Sequence, residues 1–170
     1  PHLLGGVDQD LVKPLQGRLE RQLEKIYLNS TLISGKETQE GINVKLKTPN
    51  GEINETYDKV LVSVGRKPTT ENLGLESAGI EVGKKGFLSV DRFQRTSKQN
   101  IYAIGDVAGN PMLAHKAAYD GVVAAEHIAG LSSQFDARVI PAVVFTNPEI
   151  AWAGLTETEA KEKSVLYEKG

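Results

Sequence analysis

The chain has 170 residues, 39% hydrophobic and 25% charged, a make-up ordinary for a globular protein. A net charge of −2 gives no electrostatic reason to expect nucleic acid or an anionic membrane surface as partner. The absence of cysteine excludes a disulfide framework, a thiolate metal site and a cysteine nucleophile, and no apolar run approaches the roughly 18 residues that cross a bilayer.

The opening, Pro1 to Gly6, has neither the charged nor the long apolar region of a signal peptide, and without an initiator Met the expected start lies upstream. Asp8-Gln9-Asp10 suits a helix start, and Leu11, Leu15, Leu19, Leu23 and Ile26 recur at helical spacing. Pro14 is tolerable near the first turn, whereas Gly17 weakens the middle. Arg18, Glu20, Arg21, Glu24 and Lys25 form a solvated face. Two alternating runs, 42–47 and 52–57, are joined through Pro49-Asn50-Gly51 and predict a hairpin, since Asn and Gly both tolerate positive φ.

The β-branched run 59–64 reads as a strand buried on both faces, stopped by Gly65-Arg66-Lys67-Pro68. A short strand is expected over 86–91, and a second buried strand over 100–104, ended by Gly105-Asp106. A helix follows from about Leu113 to Ala129, with Gly130 as its C′ residue. Its inward positions are expected to be the small ones: Ala114, Ala117, Ala118, Gly121, Ala124 and Ala125. Residues 142–146 look like a strand, and Thr156-Glu157-Thr158-Glu159 is a capping box that opens a last helix. There is no internal repeat. The order of elements argues α/β, and composition shifts near 66 and 139 favour three partial units over one domain.

His2, His115 and His127 are too scattered to form a metal site by spacing. The informative stretch is 96–106, where a strand delivers Asp106 at its carboxyl end, the edge at which ligands sit in open α/β sheets. An ionised Asp accepts only, which suits a sugar or ribityl hydroxyl through a bond worth roughly 1.5–3 kcal/mol. The same residue would serve equally as a cap for the turn that follows. Pro111 to His115 then leads into the small-residue helix, whose first turn carries open N–H groups and partial positive charge. Together these features describe a half-site for a flavin, whose pyrimidine side gathers charge on reduction. Trp152 reads as packing, His127 as structural at a helix end, and Arg66 as a phosphate contact or a surface ion pair.

The stretch 96–106 resembles the second FAD fingerprint of the pyridine nucleotide–disulfide oxidoreductases. Residues 60–68 resemble that family's strand and turn between its NAD and central domains. Met112-Leu113-Ala114-His115-Lys116, with 147–156 and the opening 3–13, is similar to the dihydrolipoamide dehydrogenase branch in its bacterial form. The resemblance spans essentially the whole chain.

It implies an α/β chain: a partial FAD/NAD(P)-binding three-layer fold plus the start of an α+β dimerisation domain. Residues 1–66 would be the C-terminal part of the NAD-binding domain, and 67–138 the central domain and second part of the FAD-binding domain. Residues 139–170 would begin the interface domain. Asp106, beside Gly105, would bind the FAD ribityl chain, and Met112, Leu113, Ala114 and His115 would contact the flavin largely through backbone groups. Gly65 would lie at the NAD site, where a side chain would obstruct the dinucleotide. Leu32 would lie near the adenine end, where the family usually has Val; Thr69 likewise replaces a common Asn.

The implied parent oxidises dihydrolipoamide, carried on lipoyl domains of 2-oxoacid dehydrogenase complexes, with FAD and NAD+. It would act as a homodimer in the bacterial cytoplasm. The Gly-x-Gly-x-x-Gly turns, the cysteine pair and the C-terminal His–Glu pair of the family are missing from these residues, so the segment alone is expected to be inactive. Other readings are another flavoprotein disulfide reductase, an NADH oxidase, or a non-catalytic nucleotide-binding module.

Overall fold

A computed structural model describes residues 2–168. Helix α1 spans Gln9–Gln22 and buries Val12 and Leu15, with Leu19 partly buried beside them. The inward stripe therefore starts at Val12, while Leu11 is exposed. Leu23 is already extended, so it and Ile26 fall outside the helix, contrary to the periodicity. The apolar cluster against α1 reaches only to Leu19, and without burial a further turn is not held. That cluster joins Val7, Val12 and Leu15 to Ile150, with Leu3, Leu4 and Trp152 around it.

Strands β1 (Thr31–Thr38), β2 (Gly41–Thr48) and β3 (Gly51–Tyr57) form an antiparallel meander in that order. The expected hairpin is β2–β3; β1 was not foreseen, because Thr31-Leu32-Ile33-Ser34-Gly35 breaks alternation at an irregularity between Leu32 and Ser34. The two turns are copies of one device, Thr-x-x-Gly. Thr38 and Thr48 each donate through Oγ1 to the carbonyl of the glycine three residues on, at 2.9 Å in both cases. Each also accepts from the amide two residues on, that of Glu40 or Asn50. Only Gly41 (φ 130°) and Gly51 (φ 119°) need positive φ. The expectation that Asn50 shares that conformation is corrected: the loop residues are Pro49 and Asn50, and Pro49 fixes a negative φ that a turn with two positive angles cannot accept.

The run 59–64 forms no strand. Leu61 and Val64 are 92% and 91% exposed, so the reading of a doubly buried strand fails for this chain. Extended backbone is held by neighbours on its edges, and among the described residues no strand pairs with it. The strands expected over 86–91 and 100–104 shrink to single bridges, Val82 with Leu88 and Arg95 with Tyr102. Their remaining bonds go to turns: Leu88 N–H to Val107 O at 2.8 Å and Ala103 N–H to Gln94 O at 3.0 Å. Ile80, Leu88 and Ala103 still form a buried cluster, lined by Leu75, Val90, Ile101, Val107 and Ala108.

Helix α2 covers Ala114–Ile128 and ends in a Schellman motif. Leu131 N–H bonds Glu126 O, Gly130 N–H bonds His127 O, and Gly130 sits at φ 81° as expected of a C′ glycine. Strands β4 (Ala142–Val144) and β5 (Ile150–Trp152) then pair antiparallel, and α3 covers Glu157–Glu162. The capping box is formed in full: Thr156 Oγ1 accepts from Glu159 N–H, and a Glu159 carboxylate oxygen accepts from Thr156 N–H. Asp8 contributes nothing through its side chain to α1; instead its Oδ1 accepts from Glu157 N–H at 2.9 Å. The chain divides into two compact units, residues 1–63 with 141–170, and residues 64–140.

Candidate functional site

In the unit of residues 64–140, the chain leaves the buried cluster at Ala103, passes through an extended Ile104, and turns at Gly105. Gly105 is buried at φ 75°, and a Cβ built there would lie 3.2 Å from Ala117 Cβ. Both facts favour glycine: the backbone angle is strained for L residues, and a Cβ would press on α2 by a few tenths of an ångström. A 3-10 turn over Gly105–Ala108 follows and holds Asp106 half-exposed. Arg66 Nη1 is 3.8 Å from Asp106 Oδ2, with both side chains open to solvent, so the pair is weak and leaves the carboxylate reachable.

The N-terminus of α2 is not capped by a side chain. Met112 and Leu113 before it are half-buried, whereas Ala114 and His115 are exposed. The contact of Gly105 with Ala117 sets the Gly105–Asp106 turn beside the first turns of this helix. The expected inward face of α2 needs correction. Ala114, Ala118 and Ala125 are exposed; the buried residues are Lys116, Asp120, Val123 and Ala124, with Ala117 and Gly121 close to Gly105 and Ile104 at its edge. Hydrophobicity could not reveal a face that carries a charge pair, but Lys116 and Asp120 are four apart and in line with Val123 and Ala124.

That pair lies directly behind the turn. Asp120 is fully buried, and its Oδ2 accepts from Lys116 Nζ at 2.7 Å and from Gly105 N–H at 3.0 Å. Neither residue was singled out in this role from the sequence.

Gly65 has φ 128°, and no atom stands within 4 Å of a Cβ built there, so within this chain backbone conformation is what demands glycine. The turn after it is pinned by buried Pro68, whose ring approaches Gly86, and by Thr70 Oγ1 donating to Gly86 O at 3.0 Å. Leu32 belongs to the other unit, on β1 opposite Leu46 and half-exposed. His127 is held by Tyr102, with 2.9 Å between the hydroxyl and Nδ1, and stacks on Phe93 at 4.5 Å; Trp152 packs on the α1 cluster.

The strongest electrostatic perturbation lies on β3. Glu55 accepts from Lys25, Tyr27 and Tyr57, and these bonds, that of Lys25 first, hold its carboxyl down at about 2. The Tyr57 phenol, donating to Glu55, is pushed up to about 12. No group of three or more His, Cys, Asp or Glu among the described residues could hold a metal, and no described helix is long and apolar enough to cross a membrane.

Comparison with known proteins gives these features a family. Residues 1–121 match the model "Pyridine nucleotide-disulphide oxidoreductase", and residues 140–170 match the dimerisation domain of the same name. The chain belongs to the pyridine nucleotide–disulphide oxidoreductase family, and its mixed helix and sheet is a partial FAD-binding fold with the start of the dimerisation domain. It is similar to dihydrolipoyl dehydrogenases: 44% identical over 162 residues to that of Haloferax volcanii, covering 94% of this chain and 34% of the relative. To the Vibrio cholerae enzyme it is 41% identical, covering 98% and 35%, and to the mitochondrial enzyme of Sus scrofa 40%, covering 97% and 33%. Among solved structures, LpdA from Mycobacterium tuberculosis superposes with a TM-score of 0.79 at 33% identity, over 92% of this chain and 34% of that one. The HOCl-induced flavoprotein disulfide reductase RclA from Escherichia coli gives 0.82 at 27%, over 94% and 36%. The chain thus spans about a third of the length of these relatives. FAD and NAD are the cofactors of this family of enzymes.

Proposed function

We propose that this chain is a segment of a dihydrolipoyl dehydrogenase and supplies part of its FAD and NAD sites. The observation that carries the reading is the turn at Gly105–Asp106. It presents a half-exposed acceptor beside an uncapped helix N-terminus, with Gly105 in tight contact with the helix at Ala117. These residues fit a flavin nucleotide. Asp106 accepts from ribityl hydroxyls, and the backbone of Met112, Leu113, Ala114 and His115 faces the ring, where the helix end stabilises negative charge by about 0.3–2 kcal/mol. Gly65 and Leu32 contribute to the NAD site, the first by keeping a bare backbone after 60–64.

FAD, when bound, supplies the electron transfer between a thiol couple and NAD+. This segment binds and orients; the chain contains no cysteine, so the thiols come from outside it. Residues 1–66 are read as the end of the NAD-binding domain, 67–138 as the central domain and second part of the FAD-binding domain, and 139–170 as the start of the interface through which a homodimer forms. The substrate is dihydrolipoamide on the lipoyl domains of 2-oxoacid dehydrogenase complexes.

The test is Asp106→Ala in the full-length enzyme, with bound FAD read from visible absorbance. Occupancy and affinity should fall, the latter by about tenfold or more for a charge-assisted bond of roughly 1.5–3 kcal/mol. Unchanged FAD binding rejects the role. The likeness to RclA supports a second reading, a disulfide reductase for another substrate. Turnover of dihydrolipoamide with NAD+ separates the two.

A further inference from the structure

Resting on the flavin reading of Asp106, we propose that Asp120, neutralised by Lys116, is a positioning residue that sets the Gly105–Asp106 turn and through it the affinity for the flavin nucleotide. Three observations converge on it. Asp120 has 0% exposure and Lys116 8%, so a charged pair occupies the core of a short helix where Val or Ala would pack without desolvation. Burying such a pair is expensive and often no better than an apolar replacement, so its presence asks for a task other than stability. Asp120 Oδ2 reaches out of its own helix to one backbone group, the amide of Gly105 at 3.0 Å. That amide belongs to the residue whose φ of 75° aims the next side chain, Asp106.

A backbone N–H at a positive-φ turn is buried here and must find an acceptor. Asp120 supplies one through Oδ2, and the same oxygen is held by Lys116 Nζ at 2.7 Å, so the acceptor is fixed in place beside the turn. The 3.2 Å approach of Ala117 to the Gly105 Cβ position closes the remaining direction. Asp120 Oδ1 is left without a protein partner, and so is Gln94 Oε1, although both are buried. The two residues line one cavity of about 310 Å³ beside Lys116. Gln94, itself at φ 66°, accepts through its carbonyl from Ala103 N–H and so holds the strand-like run that delivers Gly105. Both ends of the Asp106 approach thus rest on residues that line the same open pocket.

The experiment uses the full-length enzyme and two doubly neutral variants, so that no charge is buried alone. Lys116→Met with Asp120→Asn keeps an acceptor for Gly105 N–H; Lys116→Met with Asp120→Leu removes it. Melting temperature is recorded for both apoproteins, and FAD dissociation constants are measured by quenching of flavin fluorescence. The Asn variant should bind FAD within about threefold of wild type, and the Leu variant about tenfold or more weaker, because an unaimed Asp106 forfeits its charge-assisted bond to the nucleotide. In an Asp106→Ala background the difference between the two should vanish, because the acceptor then has no carboxylate to aim. Equal FAD affinity of the Asn and Leu variants overturns the proposal, and so does a difference that persists undiminished without Asp106. If the Leu variant fails to fold, the Asn variant decides: a loss of FAD affinity with an unchanged melting temperature overturns a role carried by the acceptor. Failure of the flavin reading itself is separate, since it appears as an Asp106→Ala enzyme that binds FAD normally.

Discussion

Glu55 on β3 shows how three donors, Tyr57 on its own strand and Lys25 and Tyr27 from the loop after α1, can fix a protonation state. Its carboxyl sits near 2 and the Tyr57 phenol near 12, each because the other partner's preferred state is the one bonded. For the depressed acid, the stabilisation is complete above the unfolded carboxylate value and is lost as pH falls through about 2. For the raised phenol it is complete below the ordinary tyrosine value and is lost as pH rises through about 12. Glu55→Gln should therefore flatten the loss of stability between about pH 4 and 2, followed by circular dichroism, and lower the Tyr27 and Tyr57 phenols back toward the ordinary value of about 10. An unchanged Tyr57 titration in that variant would show that the hydrogen bond is not its cause. At the same scale, Gly105 and Asp106 could be singled out from the sequence, whereas Asp120 could not. A buried carboxylate is visible only through its partners, and Gly105 N–H lies 15 residues away.

Elements that carry their own stop signals were legible. Thr156 with Glu159, Gly130 after α2 and the β2–β3 hairpin all rest on bonds within a few residues, and each formed where local chemistry placed it. Thr156→Ala should remove one such set and destabilise α3 by about 1 kcal/mol, measured by urea unfolding of the full-length protein. A smaller loss than for a surface Thr→Ala control would mean that Asp8, which also bonds the first turn of α3, suffices. Elements defined by distant neighbours were not legible in this way. The run 59–64 has the composition of a central strand but no edge partner among the described residues, and on α1 Val12, not Leu11, joins Leu15 and Leu19 in the cluster with Ile150. The charged face of α2 was misassigned for a related reason: small residues can border a close contact without lying inside it.

The molecule as a whole exposes apolar surface that its own elements do not cover. Leu61, Val62 and Val64 sit in one run, and Phe145 (84%) and Leu166 (99%) are open as well. An exposed apolar run such as 61–64 suits surface that meets other protein. Expressed alone, the 170-residue chain should bind a hydrophobic dye such as ANS and self-associate in sedimentation velocity. A monomer with a sharp cooperative melt and no dye binding would contradict this.

The bond from Glu157 N–H to Asp8 joins residues 149 positions apart, and it belongs to a unit whose two stretches flank residues 64–140. On a ribosome, Val12 and Leu15 emerge long before Ile150 exists, so the α1 cluster must wait for its counterpart while residues 64–140 are already synthesised. Closing a loop of that length is only modestly harder than closing one half as long, by about 0.6 kcal/mol, and a folded middle unit shortens the effective loop further. Order of synthesis thus favours completion of residues 64–140 before the helix α1 cluster, which is sealed last by the stretch matched to the dimerisation domain.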